Sequence, residues 1–127
     1  MITEAYVNFE TAKLLKEKGF DENTNCQYPV NGIHVGEVGE YNITDRSRNP
    51  ENYIPAPTLQ MAMDWLRKKY NLHIGVLINY QYMPRRYEVH IMHTEKLEDI
   101  ILHSGTNFNT NEEACEAAIK YCLENLI

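Results

Sequence analysis

The chain has 127 residues, of which 43% are hydrophobic, and sets 12 Lys+Arg against 18 Asp+Glu for a formal net charge of -6. Length and composition fit one globular domain and exclude a disordered polymer, and the acidic balance excludes a generally basic nucleic-acid coat. No window approaches the roughly 18 apolar residues of a membrane span, and residues 1–6 lack the basic flank and apolar stretch of a signal peptide.

Three cysteines are an odd number. Cys115 and Cys122 fall on one predicted helix about 10 Å apart along its axis, too far to bridge. A reduced, cytoplasmic protein without a membrane partner is the expectation, with cysteine serving as a small core residue.

Asn8 is placed to cap a first helix in which Phe9, Ala12 and Leu15 share a side, and Gly19 supplies the left-handed residue that ends it, with Phe20 closing back on Leu15. Asn31-Gly32 between the runs at 26–30 and 33–35 is a hairpin signal. Residues 39–57, with few apolar positions, read as a long loop. Thr58 opens a second helix to about Tyr70, with Leu59, Ala62, Met63, Leu66 and Tyr70 as its apolar stripe. Met61 and Trp65 lie off that stripe and call for a second surface. For that reason residues 1–127 read as one domain, with a helix, hairpin and loop over 1–57 and a core over 58–127.

Two alternating runs follow. Ile74, Val76, Ile78 and Tyr80 alternate with His73, Gly75, Leu77 and Asn79; Tyr87, Val89, Ile91 and His93 alternate with Arg86, Glu88, His90 and Met92. Pairing Ile78 with Val89 makes these a hairpin whose turn is Tyr82-Met83-Pro84-Arg85, and sets His90 opposite Leu77. A third strand is expected around residues 100–103 after a turn at 95–99, with its buried face left open. Thr110-Asn111-Glu112-Glu113 is a capping box, opening a last helix striped by Cys115, Ala118, Ile119, Cys122 and Leu126. The expected class is α+β, with a three-stranded antiparallel sheet covered by helices.

The order helix, three antiparallel strands, helix over residues 58–127, with Ala114, Ala118-Ile119 and Cys122-Leu123 as close-packing positions of the last helix, resembles the double-stranded-RNA-binding domain fold. In that family, lysines at the last helix start grip phosphates. The corresponding positions here are Asn111, Glu112 and Cys115, and the loop between the first two strands keeps only Pro84 of the family's reading element. Glu112 and Glu113 suit the helix dipole and repel phosphate.

Residues 9–20 and the segment Ile54-Pro55-Ala56-Pro57-Thr58 leading to Trp65-Leu66-Arg67 are similar to a family of small uncharacterised proteins of phages, prophages and mobile elements of gut anaerobes. That resemblance implies a phage or mobile-element accessory factor and no particular activity.

The sequence lacks a P-loop, a Gly-x-Ser-x-Gly elbow, a Cys-x-x-Cys pair and a His-Glu-x-x-His motif, so neither an enzyme nor a cofactor is expected. Of the five histidines, His90 and His93 are three apart on one strand and point to opposite faces, which argues against a shared metal; with His34, His73 and His103 the set reads as surface histidines, and a site completed by His103 and an acidic neighbour is the alternative. Cys26 lacks the basic neighbour that activates a thiol. Two features remain. The outer sheet face carries Leu77, His90 and Met92, with Ile101 a further candidate, and apolar residues there call for a cover from the N-terminal segment or from another chain. Arg67, Lys68 and Lys69 close the second helix and Arg85 and Arg86 sit in the hairpin turn, a local basic patch suited to nucleic acid or to dipole and solvent. The resulting expectation is a non-enzymatic interaction protein that binds another protein or itself through the sheet face or the 39–57 loop. The alternative is a nucleic-acid-binding module using the basic patch.

Overall fold

The structure, a computed structural model, describes residues 4–29, 53–81, 83–96, 98–101 and 108–127. It is α+β and divides into two compact units, Met1–Leu59 and Gln60–Ile127.

In the first unit, α1 spans Phe9–Glu17. Asn8 caps it, its Oδ1 accepting from Thr11 N at 2.9 Å. The other end closes as a Schellman motif: Phe20 N donates to Leu15 O at 2.9 Å and Gly19 N to Lys16 O at 3.1 Å, with Gly19 at φ 98. That conformation suits glycine, and the motif folds buried Phe20 back toward buried Leu15, as the sequence predicts.

Strand β1, Cys26–Pro29, pairs antiparallel with β2, Tyr53–Ala56, in the register Cys26↔Ala56 and Tyr28↔Ile54. This corrects one expectation. The described partner of β1 is β2, while residues 30–52, including the proposed 33–35 strand and most of the 39–57 loop, lie outside the described residues. The end of the proposed loop is itself the strand β2. Pro55 disguised it, yet a proline is tolerated in so short a two-stranded ladder. The approach to α2 is pinned by a second crossing, Val7 N to Pro57 O at 3.0 Å and Leu59 N to Ala5 O at 2.9 Å. Val7, Ala12, Leu15, Phe20, Tyr28, Ile54 and Ala56 are buried in this unit. Tyr28 completes it: Phe9 meets its ring edge-on at 5.7 Å, and its hydroxyl donates to Val7 O at 2.9 Å.

In the second unit, α2 (Leu59–Tyr70) runs into Asn71, whose φ of 60 turns the chain into β3 (Leu72–Asn79). Ala62 and Leu66 of the predicted stripe are buried, as is Leu59, while Met63 and Tyr70 are half-buried. Trp65, off the stripe, is buried too, and Met61 is exposed. β4 (Arg86–His93) pairs antiparallel with β3 on one side and with β5 (Glu98–Ile101) on the other, in the order β3-β4-β5.

The register is Val76↔Val89, Ile74↔Ile91 and Ile78↔Tyr87. It differs from the expected pairing by two residues, which preserves every face but lengthens the turn to residues 80–85 and frees Tyr80 from the ladder. A slip of two costs nothing in alternation, so alternation alone could not fix it. β5 begins at Glu98, two residues before the expected strand; Leu102 and His103 lie outside the described residues.

Helix α3 (Asn111–Tyr121) packs against β3 and β4 and ends in a π-helical turn, Cys122–Leu126. Thr110 Oγ1 accepts from Glu113 N at 3.1 Å, the expected cap, but Glu113 Oε2 reaches back to Asn109 N at 3.3 Å rather than to Thr110. Ala114, Cys115, Ala118, Ile119, Cys122 and Leu123 are buried, as are Val89 and Ile91 of the sheet; Leu126 is half-buried.

Candidate functional site

The register fixes the outer face of the β3–β4 hairpin. His73, Gly75, Leu77 and Asn79 lie across from Met92, His90, Glu88 and Arg86 respectively, so His90 faces Gly75 rather than Leu77. Leu77 is 53% exposed and Met92 41% exposed. The cover allowed for in the sequence reading is therefore absent over these two side chains among the described residues. Between them His90 Nε2 lies 3.3 Å from Glu88 Oε1, both half-buried. The pair screens a small polar strip flanked by apolar ends. Ile101 is opposite His90 in the backbone register, and its side chain lies outside the described residues.

The apolar surface continues around the distal end of the hairpin. Ile78 is exposed, Tyr80 is 71% exposed and Met83 is 88% exposed. Sequence reasoning missed this because it placed Tyr80 inside the ladder. Gly75, an unbulged mid-strand glycine, was the visible signal that this face is unusual.

The five candidate cations fall into two groups. Arg67, Lys68 and Lys69 occupy the last turn of α2, next to the start of β3, whereas Arg85 and Arg86 lie at its far end. An eight-residue strand separates the groups by about 23 Å, so they do not form one patch. Arg67 is paired with Asp64 one turn away. Lys69 Nζ lies 5.2 Å from the Trp65 ring centroid, and Arg85 sits 5.0 Å over the ring of Tyr80. Lys68 and Lys69 are exposed, and Arg86 is half-buried.

Other reactive groups have structural employment. His93 Nδ1 accepts from Glu95 N and Lys96 N at 3.3 and 3.1 Å, shaping the turn before β5. Cys26, Cys115 and Cys122 are free and buried. A hydrogen bond with the Cys26 thiol, aided by burial, raises the Tyr6 phenol pKa. Burial, with Glu112 and Glu116 nearby, raises that of Cys115, whose Sγ donates to Asn111 Oδ1 at 3.4 Å. The raised pKa of Cys115 depletes its reactive thiolate. Among the described residues no group of three or more His, Cys, Asp or Glu is gathered as for a metal ion, and no helix is long and apolar enough to cross a membrane. No protein-family model, curated protein or solved structure matches the chain.

Proposed function

We propose that this chain is a non-enzymatic interaction protein, an accessory factor of phage or mobile-element type, that binds a protein partner through the outer face of the β3–β4–β5 sheet. In this reading the segment from α2 to α3 is a double-stranded-RNA-binding type of arrangement turned to a protein ligand. The observation that carries it is the bare apolar pair, Leu77 and Met92, flanking the His90–Glu88 contact. Desolvating such side chains against a partner is favourable, and a half-buried polar strip between them supplies register. Nucleic acid is the rival ligand, suggested by Arg85 stacked on exposed Tyr80. The separation of the two cation groups and the acidic start of α3 weigh against it.

The test is affinity capture with the full chain and with Met92→Lys, each with and without nuclease. Proteins retained after nuclease and lost with Met92→Lys support the reading. Retention that disappears with nuclease, and weakens with salt and with Arg85→Ala, transfers the function to nucleic acid.

A further inference from the structure

The free edge of β3 carries an inference beyond the sheet face. Residues of an antiparallel pair alternate between those that bond across the pair and those whose backbone groups point away. Thr94 N donates to Asn71 O at 2.8 Å, so Asn71 and the odd-numbered residues of β3 address β4. Tyr87, which exchanges bonds of 2.8 and 3.0 Å with Phe108 on the far side of β4, agrees in parity. The N–H and C=O groups of Ile74, Val76 and Ile78 therefore point outward from β3. This strand is last in the sheet order, and among the described residues no backbone bond beyond the ladder takes those groups.

Exposed edges are ordinarily blunted by charge, proline or a bulge. β3 has none of these: its sequence is Leu-His-Ile-Gly-Val-Leu-Ile-Asn, and its eight residues pair in unbroken register. It does hold Gly75, a residue that a strand interior disfavours relative to alanine. Among the described residues nothing requires that glycine. A Cβ there meets only His90 O, at 3.8 Å, an ordinary contact, and Gly75 is not among the residues of positive φ. A strand glycine without a bulge or bend is a feature of places where a ligand or another backbone approaches closely.

We propose that β3 pairs antiparallel with β3 of a second copy of this chain across a two-fold axis at Val76. About that point the strand is apolar on both sides, with Ile74 and Ile78 placed symmetrically. On the inner face Ile74 meets the partner's Ile78 and Val76 meets its counterpart, using the outward backbone groups. On the outer face Leu77 lies over the partner's Gly75, in the closer type of antiparallel pair, where no side chain competes. β3 itself carries no Lys, Arg, Asp or Glu, so no like charges meet within the paired strands, and a two-fold normal to the sheet keeps inner faces together and outer faces together. The pairing goes beyond the sheet-face reading and stands apart from it, since it uses the strand edge, which Met92 does not touch.

Sedimentation velocity of the full chain over a concentration series up to about 100 µM tests it, with circular dichroism to verify folding. The wild type is expected to dimerise. Val76→Pro removes an outward N–H and spares the β3–β4 ladder, as edge strands tolerate, and should give a folded monomer. Ile78→Pro removes a second outward N–H at an exposed position and should weaken dimerisation about tenfold or more. Met92→Lys should dimerise normally. A wild type monomeric throughout, or a dimer surviving both edge variants, overturns the pairing. A monomer that still captures proteins in a Met92-dependent way overturns only the pairing; a dimer lost with Val76→Pro beside absent capture supports the pairing and removes the face reading.

Discussion

Cys122 offers a direct measure of how tightly α3 is enclosed. Its side chain is fully buried where the helix passes into its π-helical turn, and burial pushes the thiol from 9.0 up to about 12. Between those values the unfolded chain has released this proton while the folded chain retains it, so stability falls as pH rises through that window. The stabilising contribution is complete below the unfolded value of 9.0 and is lost as pH climbs to about 12. At about 1.4 kcal/mol per unit, the whole shift is worth about 4 kcal/mol, of which about 3 kcal/mol should be gone by about pH 11. The assay is urea unfolding of wild type and Cys122→Ala under reducing conditions, at about pH 8 and about pH 11. Other tyrosines, lysines and the Cys115 thiol titrate in both proteins and cancel to first order in the difference. At the lower pH the alanine variant should be less stable by about 1 kcal/mol, the consequence of a small void. At the higher pH the order should reverse. A stability difference that stays constant between the two conditions would mean a hydrated thiol, and would refute the enclosure of α3.

The two faces of the hairpin should respond oppositely to truncation. Ile91→Ala, at a fully buried position, should cost about 2–5 kcal/mol in chemical denaturation, whereas Leu77→Ala, at an exposed one, should stay within about 0.5 kcal/mol; comparable losses at both sites would contradict the assigned faces. Tyr28→Phe strips the hydroxyl that donates to Val7 O at 2.9 Å and leaves a buried carbonyl short of a partner. It should destabilise the protein by about 1–3 kcal/mol, and an unchanged unfolding midpoint would dismiss that bond as a structural tie.

Helix ends were legible because their chemistry is local. Asn8, Gly19 with Phe20, and Thr110 each act within a few residues of themselves, and each occupies the capping position its side chain suggests. Strand partners were less legible because pairing is decided by residues far apart in sequence. Asn31-Gly32 points to a local hairpin partner that lies outside the described residues, while the described partner of β1 lies past residue 52. The β3–β4 ladder retained its faces but not its expected pairs, since a two-residue shift leaves the apolar alternation intact. That shift also decides the candidate site: it moves His90 from Leu77 to Gly75 and brings Tyr80 into solvent. Separation of the basic residues was hidden for a related reason. Arg67 and Arg85 are 18 positions apart in sequence, and only the extended β3 between them shows that they occupy opposite ends of one strand.

Burial along the inner face of β3 declines from Leu72, which is buried, through half-buried Ile74 and Val76, to exposed Ile78. The hairpin therefore carries apolar side chains past the part of the sheet that is covered, with Leu77 bare on one face and Ile78 on the other. A two-stranded hairpin is marginal in water unless something else holds it. Tyr87 supplies one restraint, since its pair of bonds to Phe108 ties β4 down at the level of Ile78. That tie acts on β4 alone, and the matching positions on β3 keep outward-pointing backbone groups with no bond beyond the ladder among the described residues. Apolar side chains on both faces and an unsatisfied edge thus converge on one segment, Val76 to Ile78. A second strand laid along it would satisfy both at once, by backbone hydrogen bonding at the edge and by apolar burial beside it. A partner resting only on the Leu77–Met92 face would relieve the second need and leave the first to water, which is the physical reason to examine the edge and the face with separate substitutions.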